Sequence, residues 1–577
     1  MVYLKLFSTD AERTACTEPQ EYVSYTEETD KVHIHYHDYS QDYLTFVAKT
    51  SGTFNFGPNE YMTTRNNISY STDDGVTWSE PATSATVTVG VGDKVLWKGE
   101  MTPTNNERIG VFSDSTAEYD VQGNIMSLLY GDNFVNQTDL SGKNYVFDSL
   151  LAGTKVINAE NLILPATTLA ESCYYGMFGD CTSLTETPEL PATTLAQNCY
   201  FCMFVGCESL TQAPELPATT LAQNCYYAMF ENCTSLTQTP QLQATTLAKS
   251  CYAHMFDGCT SLIQAPELST TTLADYCYQS MFAGCTSLTQ APELPATTLT
   301  QYCYDSMFRS CTSLTQAPEL QATSLAKCCY FVMFDGCTSL TTAPELPATT
   351  LAESCYQSMF ENCTSLTQAP ELSATTLAQA CYSGMFQGCT SLAQAPELPA
   401  TTLANRCYNG MFKGCTSLAQ APELPGITSA TFCYQSMFSG CTSLTVAPMI
   451  RLSYLANNSC SYMFSDCTSL TQTEGISATS LTSYACQCMF SGCTALTTAP
   501  ELKATTLNTY CYRYMFKGCT NLNYIKMLAT NNITATQCLF EWVDGVAASG
   551  TFVKAASMTT LPSGTSGIPN DWTVQDA

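Results

Sequence analysis

The dipeptide Met-Phe begins at Met177 and returns every 26 residues, through Met203, Met229, Met255 and on to Met515, in 14 copies. Around it the unit reads roughly C-Y-x-x-M-F-x-G-C-T-S-L-T-Q-A-P-E-L-P-A-T-T-L-A-x-x. A unit of this length cannot bury its own apolar face, but stacked copies bury one continuous core. The period therefore restricts the chain to a repeat solenoid. Its near-invariant columns should face inward: Cys173, Met177, Phe178, Cys181, Leu184, Leu190 and Leu195, with their equivalents 26 residues on. The stretch SLTQAPEL, which reads SLTETPEL in the first unit, is extended and carries a proline, Pro188 there, which a helix interior excludes, so it is expected to be the ladder strand. Residues 169–179 place Leu169, Cys173, Tyr174, Met177 and Phe178 at nearly helical spacing, which predicts a short helical turn.

The pattern M-F-x-G-C-x-S-L-x-x-x-x-x-L, from about Leu164 to Phe540, resembles the BspA-type (Treponema-type) leucine-rich repeat. That resemblance implies a right-handed leucine-rich-repeat stack, of a kind found on bacterial surface adhesins and in bacteriophage proteins. One departure stands out: Ala213-Pro214 replaces the usual second core residue of the strand, so the strand should be shorter here.

The rest of the chain fits around this stack. Residues 1–120 contain alternating or β-branched runs such as KVHIHY, ATVTV and KVLW, punctuated by Gly, Asn and Asp. They predict an all-β, sandwich-like domain that anchors the chain. Residues 121–163 are expected to be a joint and N-terminal cap, with FDSLLAGTKVINAENLILPATTLA as a worn repeat. The repeats proper occupy 164–540, and 541–577 should cap the far end with Trp542, Val543 and Phe552. Both ends resemble segments of repeat proteins from Bacteroides-type bacteria and their phages.

Composition removes several function classes. With 577 residues the chain exceeds one compact core, and only 12% of residues are charged, which disorder would not tolerate. Its 50 acidic and 21 basic residues give a net charge of -29. That charge argues against nucleic acid and anionic membranes as partners. No apolar run is long enough to insert in a bilayer. The opening MVYLKLFSTDAERTAC has no long apolar stretch after Lys5 and does not read as a secretory signal.

Several motifs invite a chemical reading. His33, His35 and His37 would share one face of a strand and could ligate a metal, most readily across a trimer axis. The plainer account is an exposed strand face. Ser71-Thr72-Asp73-Asp74-Gly75-Val76-Thr77-Trp78 resembles the Asp-box of sialidases, but it occurs once and Asp-Gly suits a hairpin turn. Most units hold C-x7-C, as in Cys173/Cys181, while the unit around Met463 has Cys460 and Cys467. These columns are expected to be buried free thiols rather than disulfides or zinc ligands. Glu189, Glu215, Glu267, Glu293, Glu319, Glu345, Glu371, Glu397 and Glu423 form an acidic ladder. Calcium or a basic partner could relieve its repulsion; the plainer account is a solvated face screened by salt.

The columns that vary between units point to a ligand-reading face, with Tyr175, Phe201, Tyr227, His254, Arg309, Phe331, Arg406, Lys413, Arg513 and Tyr514 as its candidate residues. No nucleophile, base or phosphate-cradling loop recurs, so no enzyme and no cofactor are expected. The expected function is a bacteriophage virion appendage, a fibre or spike. Its N-terminal domain would join other virion proteins, and its repeats would contact a host glycan or protein; the assembly would be a homo-oligomer, a trimer being the geometry the histidine stripe suits. The alternative is a bacterial cell-surface adhesin of the BspA kind.

Overall fold

The computed structural model describes residues 21–28, 31–58, 67–100, 108–558 and 561–577, and for 21–37 the backbone alone. The side chains of His33, His35 and His37 lie outside the described residues. The chain divides into two compact units, Met1–Ala218 and Thr219–Ala577.

In the first unit β1 (Glu21–Glu28) and β2 (Lys31–His37) pair antiparallel. Then follow β3 (Leu44–Ala48), β4 (Gly52–Phe56), β5 (Ile68–Ser71), β6 (Ala85–Val89), β7 (Lys94–Gly99), β8 (Tyr119–Asn124), β9 (Val156–Asn158) and β10 (Leu162–Ile163). One sheet runs β10-β8-β3-β7-β5, with β9 also paired to β8; β4 and β6 form a second, antiparallel pair. Alternation decides which side chains enter: Val87 and Val89 from β6, Val95 and Trp97 from β7. Phe46 of β3 meets Phe54 of β4 at 5.3 Å, Phe112 at 4.6 Å and Tyr119 at 4.5 Å between ring centroids. This aromatic cluster ties the second pair to the main sheet.

The expected boundary at residue 120 falls inside β8, which lies between β3 and β10 in the sheet. The expected joint, 121–163, supplies β9 and β10 and is part of the same sheet. The worn repeat is a true coil. Phe147 stacks on Tyr174 at 5.5 Å and 8°, and its N–H donates to the Cys173 carbonyl at 2.9 Å. Tyr119 of the sheet donates to Thr154 at 3.0 Å, beside the buried thiol of Cys181.

Within the repeats, residues 169–179 and their equivalents form no helix. They form consecutive tight turns in which backbone bonds alternate. Tyr252, His254, Phe256 and Gly258 donate to Cys277, Gln279, Met281 and Ala283 of the next coil, at 2.7–3.1 Å. Ala253, Met255, Asp257 and Cys259 donate to the carbonyl three residues back, at 3.1–3.4 Å. Every fourth residue, here Ser250, His254 and Gly258, is left-handed, with φ of 53°, 57° and 74°. The result is a ribbon of period four. Its inward pairs recur at i, i+1, i+4 and i+5, which mimics a helix in sequence. Cys251, Tyr252, Met255, Phe256 and Cys259 are all buried.

The strand side is sparse. Most coils pair there through single bridges, Gln264 to Gln290 to Gln316 and Thr376 to Thr402 to Thr428. Longer pairing appears where the sequence departs from the consensus, in β11 (Val446–Ala447) with β13 (Gln472–Thr473) and β12 (Tyr454–Leu455) with β14 (Ser480–Leu481). The end carries β15 (Tyr524–Met527), β16 (Thr551–Lys554) and β17 (Thr573–Asp576), a parallel sheet that continues the coil direction past the last Met-Phe unit. Trp542, Val543 and Phe552 are buried there, and Trp542 lies 6.0 Å from Phe516 at the end of the Phe ladder.

Inside the second unit, Phe230 to Phe516 stack in every coil at 5.4–5.8 Å, and Tyr226 to Tyr434 at 5.8–6.0 Å. The Tyr ladder stops where Cys460 and Cys486 take its column. Each Phe carbonyl is used twice: Phe256 accepts from Cys259 N–H at 3.1 Å and from the Cys285 thiol of the next coil at 3.2 Å. The same thiol bond recurs from Cys259 to Cys519. It gives the cysteine column a reason other than cross-linking: a small apolar group that also donates to a buried carbonyl. The described cysteines carry free thiols.

The third left-handed column follows a rule. Each Asp, Asn or Ser in it (Asp180, Asn232, Ser310, Asn362, Asp466) is followed one coil later by Gly. A Cβ on Gly206 would stand 2.5 Å from Asp180 Oδ1, and one on Gly258 would overlap Asn232 Oδ1. Gly414 follows Gly388 instead, and a Cβ there would meet its Cα at an ordinary 3.8 Å. Gly414→Ala should therefore cost about 1 kcal/mol for the left-handed backbone alone, and Gly258→Ala roughly 1 kcal/mol more for displacing Asn232. Equal losses in urea unfolding would remove the steric explanation.

Burial pushes the thiols of Cys311 and Cys519 up to about 12. An unfolded thiol titrates near ~8.5, so the native state keeps protons that the unfolded state loses above that pH. Stability should be level through neutral pH and fall as pH climbs from about 8.5 towards 12, by up to about 1.4 kcal/mol per pH unit for each such thiol. Urea midpoints that stay level from pH 7 to 11 would contradict this.

Candidate ligand-binding face

The turn ribbon turns three pairs of residues outward in each coil: the pair before the first Cys, the pair after Cys-Tyr and the pair after Met-Phe. The second residue of each pair is the left-handed one. All the candidate residues named from sequence variation fall on these pairs. In the first unit Tyr175 stacks on Phe201 at 4.8 Å and 5°. In the second, Tyr227 and His254 meet at 5.3 Å, and His254 Nδ1 lies 3.0 Å from Asp257 Oδ2. Arg309 pairs with Asp335 at 3.5 Å, Phe331 is half-buried in the Tyr227 column, and Lys413 is exposed. Arg406 sits 4.9 Å over the Phe432 ring. Arg513 lies 4.7 Å over the Tyr514 ring.

Variation in the residue before the first Cys also marks Tyr276, Tyr302, Phe432, Tyr484 and Tyr510, which the candidate set leaves out although Arg406 occupies the same column. Tyr276 stacks on Tyr302 at 4.7 Å and Tyr484 on Tyr510 at 4.6 Å. The last coil is shifted by one residue, so Phe540 follows Arg513 and the left-handed Glu541 follows Tyr514; the Phe540 ring lies 5.5 Å from that of Tyr514, at 75°.

The occupants of these columns run against their backbone. A left-handed residue costs roughly 1–2 kcal/mol unless it is Gly, Asn or Asp, whose shape tolerates it. The third column obeys this and holds Gly, Asn, Asp or Ser. The first two do not: Tyr276, Tyr302, Val332, Arg406, Phe432, Tyr484, Tyr510 and Tyr514 all have φ between 51° and 60°. Large side chains are thus held outward on a rigid backbone at the expense of local strain.

The strand side has different chemistry. Glu189 and Glu215 in the first unit, and Glu267, Glu293, Glu319, Glu345, Glu371, Glu397 and Glu423 in the second, are exposed. Gln241, Met449 and Gly475 interrupt the column. Glu423 lies 3.8 Å from Arg451, and Glu501 pairs with Lys526 at 2.7 Å. Parallel stacking points the carboxylates the same way, into water, so that they do not converge on one another. Among the described residues no group of three or more His, Cys, Asp or Glu forms a metal-sized cluster. A groove of about 510 Å³ opens where the column is broken, lined by Met449, Glu474, Gly475, Thr498, Glu501 and Lys503. No described helix is long and apolar enough to cross a membrane.

The Asp-box segment is a closed turn after β5. Asp73 accepts from Thr77 N–H at 2.8 Å, from Thr77 Oγ1 at 2.6 Å and from Ser71 Oγ at 2.7 Å, and these bonds draw its carboxyl down to about 2. Both carboxylate oxygens are engaged by the turn itself, so the motif organises the loop. Trp78 packs under Lys98, whose Nζ lies 4.2 Å from its ring centre.

Replacing Val332, a β-branched residue at φ 56°, by Asn should raise stability by about 1 kcal/mol, the reverse of an ordinary Val→Asn change. A urea midpoint that falls instead would show that this column is not strained.

No curated protein matches the chain. The family model described as "BspA type Leucine rich repeat region" matches residues 154–281, 202–330, 320–445 and 405–543. These matches run through the worn repeat, the Met-Phe units and the Trp542 coil, and together they take in well over half of the sequence. The chain belongs to the BspA-type leucine-rich-repeat family.

Proposed function

We propose that this protein is a non-enzymatic adhesion protein that reads a ligand on a host surface with the outward face of its turn ribbon. BspA-type repeats suggest a surface or adhesion-type protein. The observation that carries the choice of face is the strained display: aromatic and cationic side chains occupy left-handed positions where Gly or Asn would relax the backbone. Such a cost is sensible where the side chain has an external contact to make. The ligand is a surface glycan or protein, since half-exposed rings and guanidinium groups serve both.

The finer reading is a virion appendage, a fibre or spike. The N-terminal domain would join other virion proteins, the assembly would be homo-oligomeric, and the repeats would meet the host. The likeness of both ends to phage-encoded repeat proteins supports this reading. Peptides of the chain should co-sediment with DNA-containing particles when the source culture is fractionated on a density gradient. Recovery with the cell envelope would instead assign the protein to a bacterial surface as an adhesin.

The choice of face has its own measurement. Labelled full-length protein should bind intact host cells, and replacing Tyr276, Tyr302 and Phe432 together by Asn should lower that binding at least fivefold without lowering the melting temperature. Full binding by the triple variant would show that the ribbon face is not the contact surface.

A further inference from the structure

The far end of the ribbon in the second unit differs from the rest. Arg513 lies over three rings at once, 4.7 Å from the centre of Tyr514, 5.4 Å from Tyr510 and 5.6 Å from Phe540. Its Nη2 bonds to the Tyr514 hydroxyl at 3.2 Å, and its Nε is buried with no hydrogen-bond partner. Arg309 is matched with Asp335, Lys327 with Glu353, Lys526 with Glu501, and Lys517, next door, with Glu541 and Asp544, whereas Arg406 lies over a single ring, that of Phe432. Arg513 has no carboxylate within ion-pair distance among the described residues, in a chain of net charge -29. An acidic protein that leaves this guanidinium unmatched, and fixes it in an aromatic frame, holds a preorganised receptor for one carboxylate.

We propose that Arg513, Tyr510, Tyr514 and Phe540 form a receptor site for a carboxylate-bearing sugar, a uronic or sialic acid unit of a surface glycan; this names the ligand class within the adhesion reading and rests on it. The guanidinium takes the carboxylate through paired N–H donors. The tyrosine rings and hydroxyls meet the C–H face and hydroxyl groups of the pyranose. An acidic peptide fits less well. The ribbon offers it no backbone edge, because alternate N–H groups bond to the next coil and the others to carbonyls three residues back. Repulsion from the acidic strand side is screened beyond about 8–10 Å at physiological salt.

The strain gives the site a signature that a structural cluster would lack. Tyr510 and Tyr514 have φ of 60° and 55°. Tyr514→Gly frees the backbone and removes the frame, so it should hold or raise the melting temperature while lowering binding.

The test uses the full chain and isothermal titration with sialyllactose and with a galacturonic acid oligosaccharide, against lactose and an oligo-glutamate peptide. Binding of an acidic sugar should be seen, at least tenfold tighter than lactose and weakened by salt. Arg513→Gln should weaken it at least tenfold, Arg513→Lys by less, and Tyr514→Gly severalfold with no loss of thermal stability. Arg513→Gln binding within twofold of the parent would overturn the site, as would equal affinity for lactose or tighter binding of oligo-glutamate. If the protein binds host cells but no acidic sugar, this proposal fails and the adhesion reading stands. If it binds no surface at all, the adhesion reading fails first.

Discussion

The structure rests on a division of backbone hydrogen bonds. Along the turn ribbon, every second N–H donates to the next coil and the intervening ones donate within the coil. The ribbon therefore closes its own turns and still bonds to its neighbour, which neither a helix nor a strand can do alone. A helix spends all its N–H groups internally, and a strand spends them all on partners. The division requires a left-handed residue at every fourth position, and that requirement shapes the whole surface.

Inward, the consequence is repetition without tolerance. From Phe230 to Phe490 each Phe carbonyl accepts one backbone N–H and one thiol from the following coil, so the Cys column couples packing to hydrogen bonding. The Phe rings lie directly above one another because the coils repeat without rotation large enough to offset them, with interplanar angles of 2–14°. Such a stack is held by nearest-neighbour contacts, and no single coil is stable alone. The third left-handed column adds a local rule of the same kind, in which a side chain on one coil needs a bare Cα on the next.

Outward, the consequence is two faces of different chemistry. On the strand side the consensus Glu points into water coil after coil, and the cations that answer it, Arg451 and Lys526, appear only near the end. On the ribbon side rings, guanidinium groups and acids alternate, pair within or between adjacent coils, and differ from unit to unit. In the first two left-handed columns side chains of adjacent coils lie against one another, as Tyr276 on Tyr302 and Tyr484 on Tyr510 show. The residues of these columns differ from unit to unit, and variation is what a recognition surface needs.

The 26-residue period by itself determined the stacking, the inward columns from Cys173 to Leu190, the worn repeat around Phe147 and the capping residues Trp542 and Phe552. Each follows from burying apolar side chains at a fixed repeat. It also marked the outward columns, because exposed positions are free to differ between copies. It did not reveal the ribbon. Buried pairs four residues apart are shared by a helix and by consecutive turns, and only the inter-coil bonds of Tyr252, His254 and Phe256 separate the two. Nor did it reveal that β8 joins β9 and β10, since strand pairing across such separations leaves no local pattern. The clustering of Arg513 with Tyr510, Tyr514 and Phe540, and the absence of a carboxylate beside it, exist only once adjacent coils are in register.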